Sequence, residues 1–161
     1  MYAPQRRFME EAIGLAREAY LSGDYAIGAV VVQDNQIIAR GANRIKIDSD
    51  PTQHAEIVAI REAAMQFNSR HLENCVLYTT HEPCLMCAAA AVWARMAGIV
   101  SGARLEDMID YRAVNGNGDW SWRTIDISAQ TILAKGDPKL FLIEDFMRQE
   151  CVSLFHSEKV T

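Results

Sequence analysis

The stretch HEPCLMCAAAAVW, residues 81–93, places two cysteines three positions apart after a proline and then continues into alanines. Pro83 suits the first position of a helix, where its missing N–H would have no partner anyway. We therefore predict a helix over residues 84–96 with Cys84 and Cys87 in its first turn. Residues at i and i+3 share one helix face, so both sulfurs can bind the same ion. The positive end of the helix dipole favours the thiolate form, which binds metals.

A second group of polar residues, HAE at residues 54–56, begins another predicted helix over 54–67. Taken alone, His54 would be an ordinary capping histidine, and Glu56 a first-turn acid that suits the helix dipole. One imidazole and two thiolates, however, make three ligands for tetrahedral zinc and leave the fourth position open, as in catalytic sites. A redox pair remains the alternative for the two cysteines by themselves. The other candidates for a fourth ligand do not stand at a spacing that pairs with either group: His71, Cys75, His81, Cys151 and His156.

The rest of the chain alternates strands with helices. An apolar pattern at helical spacing covers residues 6–21, and two short apolar runs flank Asp34-Asn35, which indicates a hairpin. Later apolar runs at 74–80, 97–103 and 139–145 predict strands, with helices at about 105–111, 128–135 and near 155. This order predicts an α/β sandwich with an antiparallel hairpin at its start and parallel strands after it.

Composition limits the functional classes. The 161 residues are 50% hydrophobic, which fits one domain over 1–161. No apolar run reaches the roughly 20 residues of a membrane span, and the charged N-terminus does not resemble a signal peptide, so we expect a cytoplasmic protein. Four cysteines there favour metal or redox chemistry over disulfides. A net charge of −5 lacks the basic character of proteins that hold long nucleic acids, which argues for a small substrate.

The two motifs together form the signature H-x-E and P-C-x-x-C of zinc nucleobase deaminases. The sequence resembles the cytidine deaminase-like superfamily over nearly its whole length, and most of all the branch with guanine deaminases, tRNA adenosine deaminases and yeast-type cytosine deaminases. Further segments that carry the resemblance are IGAVVV, GAN, DPTQHAEIVAIREA, LYTTHEPCLMCAAAAVWAR and VSGA. It implies a three-layer α/β/α sandwich with a central mixed five-stranded sheet, and two zinc-binding helices packed side by side.

The resemblance also implies the chemistry. Zinc held by His54, Cys84 and Cys87 would lower the pKa of water from about 15.7 toward roughly 7. Glu56 would not bind the metal; it would carry the proton from water to the ring nitrogen and then to the departing amine. A purely structural zinc site has no use for such a carboxylate, which favours an enzyme over an inactive zinc-binding subunit.

Four residues are expected to contact substrate by the same resemblance. Asn43 matches an asparagine that hydrogen-bonds the base or sugar, and the Ala55 N–H would meet a ring carbonyl. Trp93 matches a pocket tryptophan of guanine deaminase-like members, although it could also be a core aromatic. Ile27 instead resembles the cytosine and tRNA enzymes. We expect a free nucleobase or nucleoside, a guanine-type purine first, with cytosine or cytidine and tRNA adenosine as alternatives.

Two further expectations concern surroundings of the site. The loop with Asp119, Trp120 and Trp122 is either a lid on the pocket or a surface turn packed on the core. Members of the family usually assemble through faces near the zinc helices, so we expect a homodimer with no nucleic-acid or membrane partner.

Overall fold

A computed structural model of the 161-residue chain describes residues 1–117, 122 and 124–155. Its helices and strands follow one another in this order: α1 (Arg6–Leu21), β1 (Gly28–Gln33), β2 (Gln36–Ala42), α2 (Ala55–Phe67), β3 (Val76–His81), α3 (Leu85–Trp93), β4 (Gly98–Ala103), α4 (Leu105–Asn115), α5 (Ala129–Lys135), β5 (Phe141–Ile143) and α6 (Arg148–Ser153).

The five strands form one sheet in the order β2-β1-β3-β4-β5. β1 is antiparallel to β2 and β3, whereas β4 is parallel to β3 and β5. Side chains from α1, α4 and α6 build the core on one face of the sheet, and those from α2, α3 and α5 build it on the other. The predicted three-layer sandwich with a mixed five-stranded sheet is confirmed.

The hairpin between β1 and β2 turns at the expected place. Asp34 and Asn35 have φ values of 47° and 65°, as in the two-residue turns whose twist matches that of the flanking strands. Behind this hairpin, Gly41 lets α2 approach the sheet closely, because a Cβ there would overlap the carbonyl oxygen of Ala55. The beginning of α2 is therefore held against β2.

Helix α3 is shorter than the sequence predicted. It begins at Leu85, and Cys84 caps it with an extended backbone (φ −62°, ψ 170°), so Cys84 lies before the first turn and not in it. At the other end, Arg95 adopts a left-handed conformation with φ 54°, which ends the helix before the predicted Met96. The relation of three positions between Cys84 and Cys87 is unchanged. No helix in the described part of the chain is long and apolar enough to cross a membrane.

Candidate active site

The first residues of α2 and α3 bring three soft or borderline ligand atoms together. His54 caps α2, Cys84 caps α3, and Cys87 lies in the first turn of α3. His54 Nδ1 lies 3.6 Å from the Sγ of each cysteine, and the two sulfurs are 3.7 Å apart. Zinc with tetrahedral bonds of about 2.3 Å to sulfur and about 2.0 Å to nitrogen sets such atoms roughly 3.8 Å (S to S) and roughly 3.5 Å (S to N) apart. The three atoms therefore fit a zinc ion without rearrangement.

The electrostatics of this group favour metal binding. The pKa of Cys84 is lowered to about 4, because its hydrogen-bond contacts with the Cys87 sulfur and with His54 stabilise the thiolate. The same contact with Cys84, together with burial, raises the pKa of Cys87. The hydrogen bond to Cys84 raises the pKa of His54. One thiolate is thus stabilised before any metal arrives, and the thiolate is the ligating form.

Glu56 stands beside this group but does not belong to it. Its side chain is buried, and burial raises the pKa of its carboxyl group. The Thr79 hydroxyl lies 3.2 Å from Oε1 and 3.0 Å from the His81 carbonyl oxygen, and the Cys87 thiol lies 3.6 Å from Oε2. A buried carboxyl group with a raised pKa is suited to accept and return a proton.

A cleft of about 400 Å³ opens over these residues. His54, Glu56 and Cys84 form its polar floor, and most of the rest of the lining is apolar. The other lining residues are Ile27, Pro51, His81, Glu82, Leu85, Met86, Leu105, Met108, Trp122, Thr124 and Ile125. Cavities of this size and apolar character are typical of small-molecule sites.

His81 and Trp122 form an aromatic wall of the cleft. His81 is the last residue of β3 and is 1% exposed, and Trp122 stacks on its ring at 5.3 Å between centroids and 18° between planes. Sequence reasoning considered His81 only as a zinc ligand and left Trp122 open between lid and surface turn. Trp122 is buried and lines the cleft, while Asp119 and Trp120 lie outside the described residues. The signal for His81 was its place at the carboxyl end of a buried strand, where α/β sheets bind ligands.

Asn43 is buried next to the site but is not a lining residue of the cleft. Its Nδ2 donates to Asp24 Oδ1 over 2.8 Å, and its Oδ1 has no hydrogen-bond partner among the described residues. Asp24 Oδ2 also accepts the backbone N–H groups of Lys46 and Ile47 over 2.7 and 3.1 Å. The sequence analysis did not identify Asp24. Because Asp24 accepts the Asn43 Nδ2–H, the Asn43 carbonyl oxygen Oδ1 remains available as a hydrogen-bond acceptor.

The other predicted substrate contacts have different outcomes. Ile27 lines the cleft. Ala55 is the first residue of α2, where a backbone N–H has no intrahelical acceptor, so its contact stays a prediction. Trp93 lies at the end of α3 with 81% of its surface exposed and does not line the cleft of this chain, so its substrate contact stays a prediction.

Sequence comparisons agree with this geometry. The family model described as "Cytidine and deoxycytidylate deaminase zinc-binding region" matches residues 3–103. The tRNA-specific adenosine deaminase of Buchnera aphidicola is 31% identical over 157 residues, 98% of this chain and 89% of that protein. The guanine deaminase of Bacillus subtilis is 42% identical over 101 residues, which is 62% of this chain and 65% of that protein. The tRNA-specific adenosine deaminase of Aquifex aeolicus is 38% identical over 96 residues, or 60% of this chain and 64% of that protein.

The matched regions thus span just under two thirds of the Bacillus and Aquifex proteins but most of the Buchnera one. Among solved structures, one from a study of A-to-I editing by tRNA:A34 deaminases superposes with a TM-score of 0.77 and 30% identity. That superposition covers 93% of this chain and 99% of that one. The comparisons therefore include proteins named for a free base and proteins named for tRNA.

Proposed function

The chain belongs to the family of cytidine and deoxycytidylate deaminases defined by their zinc-binding region, and from this premise we propose that it is a zinc-dependent hydrolytic deaminase. The observation that carries the proposal is the site itself. Three ligand atoms stand 3.6 to 3.7 Å apart at the floor of a cleft, with a buried carboxyl group beside them that is not one of the three. His54, Cys84 and Cys87 would hold the metal, and Glu56 would move the proton.

The residues of the cleft divide the reaction between them. Zinc, when bound, supplies the Lewis acidity that makes water a nucleophile near neutral pH. Glu56 takes a proton from the attacking water and gives it to the ring nitrogen next to the reacting carbon. It then takes the second proton of that water and delivers it to the departing amine, so a carbonyl and ammonia are formed. The Thr79 hydroxyl orients the Glu56 carboxylate through their hydrogen bond.

We propose a free nucleobase or nucleoside as the substrate, with a guanine-type purine first and cytosine second. Apolar walls and the stacked Trp122 suit a flat ring. Charge supports a small substrate: the net charge is −5, and six arginines of the described surface pair with carboxylates. They are Arg6, Arg40, Arg44, Arg95, Arg104 and Arg148. These pairs lower the positive charge available for a phosphate backbone.

Adenosine in tRNA is the alternative to a free base or nucleoside. It is favoured by similarity over nearly the whole chain to a protein named as a tRNA-specific adenosine deaminase, whereas the guanine deaminase match covers 62% of the chain. A homodimer, one domain over 1–161 and a cytoplasmic location remain predictions that accompany either substrate.

Ammonia release across a panel tests the proposal and orders the candidates. The panel contains guanine, adenine, cytosine, their nucleosides and a tRNA anticodon stem-loop, each with zinc-loaded protein. We expect release from guanine above the others and none from the stem-loop. Efficient conversion of adenosine in the stem-loop, falling steeply with added salt as phosphate contacts require, would replace the free base by tRNA as the proposed substrate. Ammonia from no member of the panel would contradict the deaminase proposal.

A further inference from the structure

His81 occupies the boundary between the floor of the cleft and its aromatic wall. It ends β3, its side chain is 1% exposed, and it lines the cleft together with Glu56 and His54. His81 has no role in the proposed proton transfers. The ring nitrogens of a buried histidine normally have hydrogen-bond partners, so a partner is expected for each nitrogen of His81.

The hydrogen bonds of Thr80 decide which ring nitrogen carries the proton. Thr80 Oγ1 accepts the backbone N–H of Gly28 over 3.2 Å and lies 2.7 Å from His81 Nδ1. A hydroxyl has one hydrogen to donate, and within the described residues Nδ1 is the partner in reach that can accept it. This arrangement favours donation from Thr80 to Nδ1, which places the proton of the neutral ring on Nε2.

Nε2 is then a buried donor without an acceptor. It has no hydrogen-bond partner among the residues that the structure describes. The ring is held in place by Trp122, and by Phe155 at 5.0 Å and 42°. Burial lowers the pKa of His81 to about 3, so the ring is neutral at pH 7. An unpaired buried donor costs about 1–3 kcal/mol, which is recovered when a ligand supplies the acceptor.

Resting on the proposed deamination, we propose that His81 is a specificity residue whose Nε2–H donates a hydrogen bond to an acceptor on the substrate ring. The acceptor is a ring carbonyl oxygen or an unprotonated ring nitrogen at the edge facing β3. Bases that present an amino group at that edge would bring two donors together and be rejected. The cleft would thus select an oxo-purine such as guanine over 2,6-diaminopurine, which carries an amino group where guanine carries the carbonyl.

Two substitutions separate hydrogen bonding from shape. His81→Leu keeps a similar volume without a donor, whereas His81→Gln can place an amide N–H near the position of Nε2. For guanine, or the best substrate of the panel, we expect kcat/KM to fall about 10- to 100-fold in His81→Leu, as for a lost buried hydrogen bond, mainly through KM. We expect His81→Gln to remain within about fivefold of the unsubstituted protein, because it restores the donor.

Controls make this result specific. His71→Leu, at a histidine that does not line the cleft, should leave kcat/KM unchanged, and thermal melting identifies any loss of folded protein. Preference for guanine over 2,6-diaminopurine should shrink in His81→Leu and persist in His81→Gln. Equal losses in both variants would mean that ring shape alone matters and would overturn the proposal, as would full activity of His81→Leu.

A measurement without turnover tests the proton position directly. Nitrogen-15 NMR of zinc-loaded protein at pH 7 should show His81 neutral with its proton on Nε2, and the Nε2 signal should shift when guanine is added. A proton on Nδ1 would overturn the donor role. If the unsubstituted protein releases no ammonia from any substrate, the deaminase proposal fails, and the NMR result alone then decides whether His81 is a donor.

Discussion

The floor and the aromatic wall of the cleft are built in different ways. The floor comes from two short motifs, because His54 and Glu56 lie two positions apart and Cys84 and Cys87 three positions apart. The wall consists of His81 and Trp122, and Tyr25 and Phe155 pack against Trp122, so the cluster draws on residues between positions 25 and 155 of the chain. The proposed metal ligands and proton carrier are therefore encoded in two short motifs, whereas the cleft wall forms from distant segments that meet only after folding.

The same contrast separates two buried carboxylates of the cleft. Glu56 has one hydroxyl and one thiol as partners. Glu82 accepts the backbone N–H of Leu105 and that of Ala129, each over 2.8 Å, and so holds the beginnings of α4 and α5 beside the wall. One carboxylate is left free to exchange a proton, and the other is committed to the structure.

The largest effect is expected at the floor. Cys84→Ala and Cys87→Ala each remove one of the three ligand atoms, so zinc content and turnover should fall together. The loss of zinc affinity and activity should exceed the roughly 10- to 100-fold loss that follows when a residue hydrogen-bonded to a metal ligand is substituted. Metal analysis by mass spectrometry and ammonia release measure it. Cys75→Ala, at a buried cysteine away from the ligand group, is the matched control and should retain zinc; full zinc in both ligand variants would refute the assignment.

Glu82→Gln should lower stability more than it impairs chemistry. The amide can accept only through its oxygen, so one of the two N–H groups loses its partner, and the free energy of unfolding should fall by about 2–3 kcal/mol. Urea denaturation measures this. Glu73→Gln is the control: its ion pair with Arg95 is exposed and 3.8 Å long, so a change within about 0.5 kcal/mol is expected. Equal free energies of unfolding for the Glu82 and Glu73 variants would contradict the structural role of Glu82.

A smaller effect is expected on the pH dependence of stability, through His81 in the aromatic wall. Burial lowers the pKa of folded His81 to about 3, whereas an unfolded histidine titrates near about 6.5. Below that value the unfolded chain binds a proton that the folded chain does not, so the stability from His81 is present above pH 6.5 and is lost as the pH falls toward 3. Relative to His81→Gln, the free energy of unfolding should decrease by about 1 kcal/mol between pH 6.5 and pH 5.5. Urea denaturation at both pH values checks this, and parallel curves would show that His81 is not buried.

The smallest effect is expected at Trp93. Its exposed side chain lies outside the cleft, so Trp93→Ser should leave kcat/KM within about twofold, since surface changes seldom reach a site. Steady-state kinetics measure it, and Trp122→Ser is the matched variant in which KM should rise. A loss at Trp93 as large as at Trp122 would place Trp93 at a substrate site, contributed by a neighbouring copy of the protein.

The sequence predicted the floor but not the wall, for a physical reason. The metal-ligand motifs have a fixed spacing, so their positions can be recognised in the chain itself, and the strands and helices follow from periodicity. The tautomer of His81 depends instead on Thr80 and Gly28, and its stacking depends on Trp122, 41 positions away. Asp24 likewise acts on Asn43 across nineteen positions. The left-handed Arg95 ends α3 earlier than its alanine run suggested.

The most direct test of the account is Glu56→Gln, measured for zinc content and ammonia release in the same preparation. The amide has nearly the size of the carboxylate but cannot accept the proton of water. We predict about one zinc per chain, unchanged thermal melting and a loss of turnover of at least about 100-fold, the lower end expected for removal of a general acid and base. Turnover close to that of the unsubstituted protein, with zinc retained, would contradict the role of Glu56 and with it the proposed mechanism.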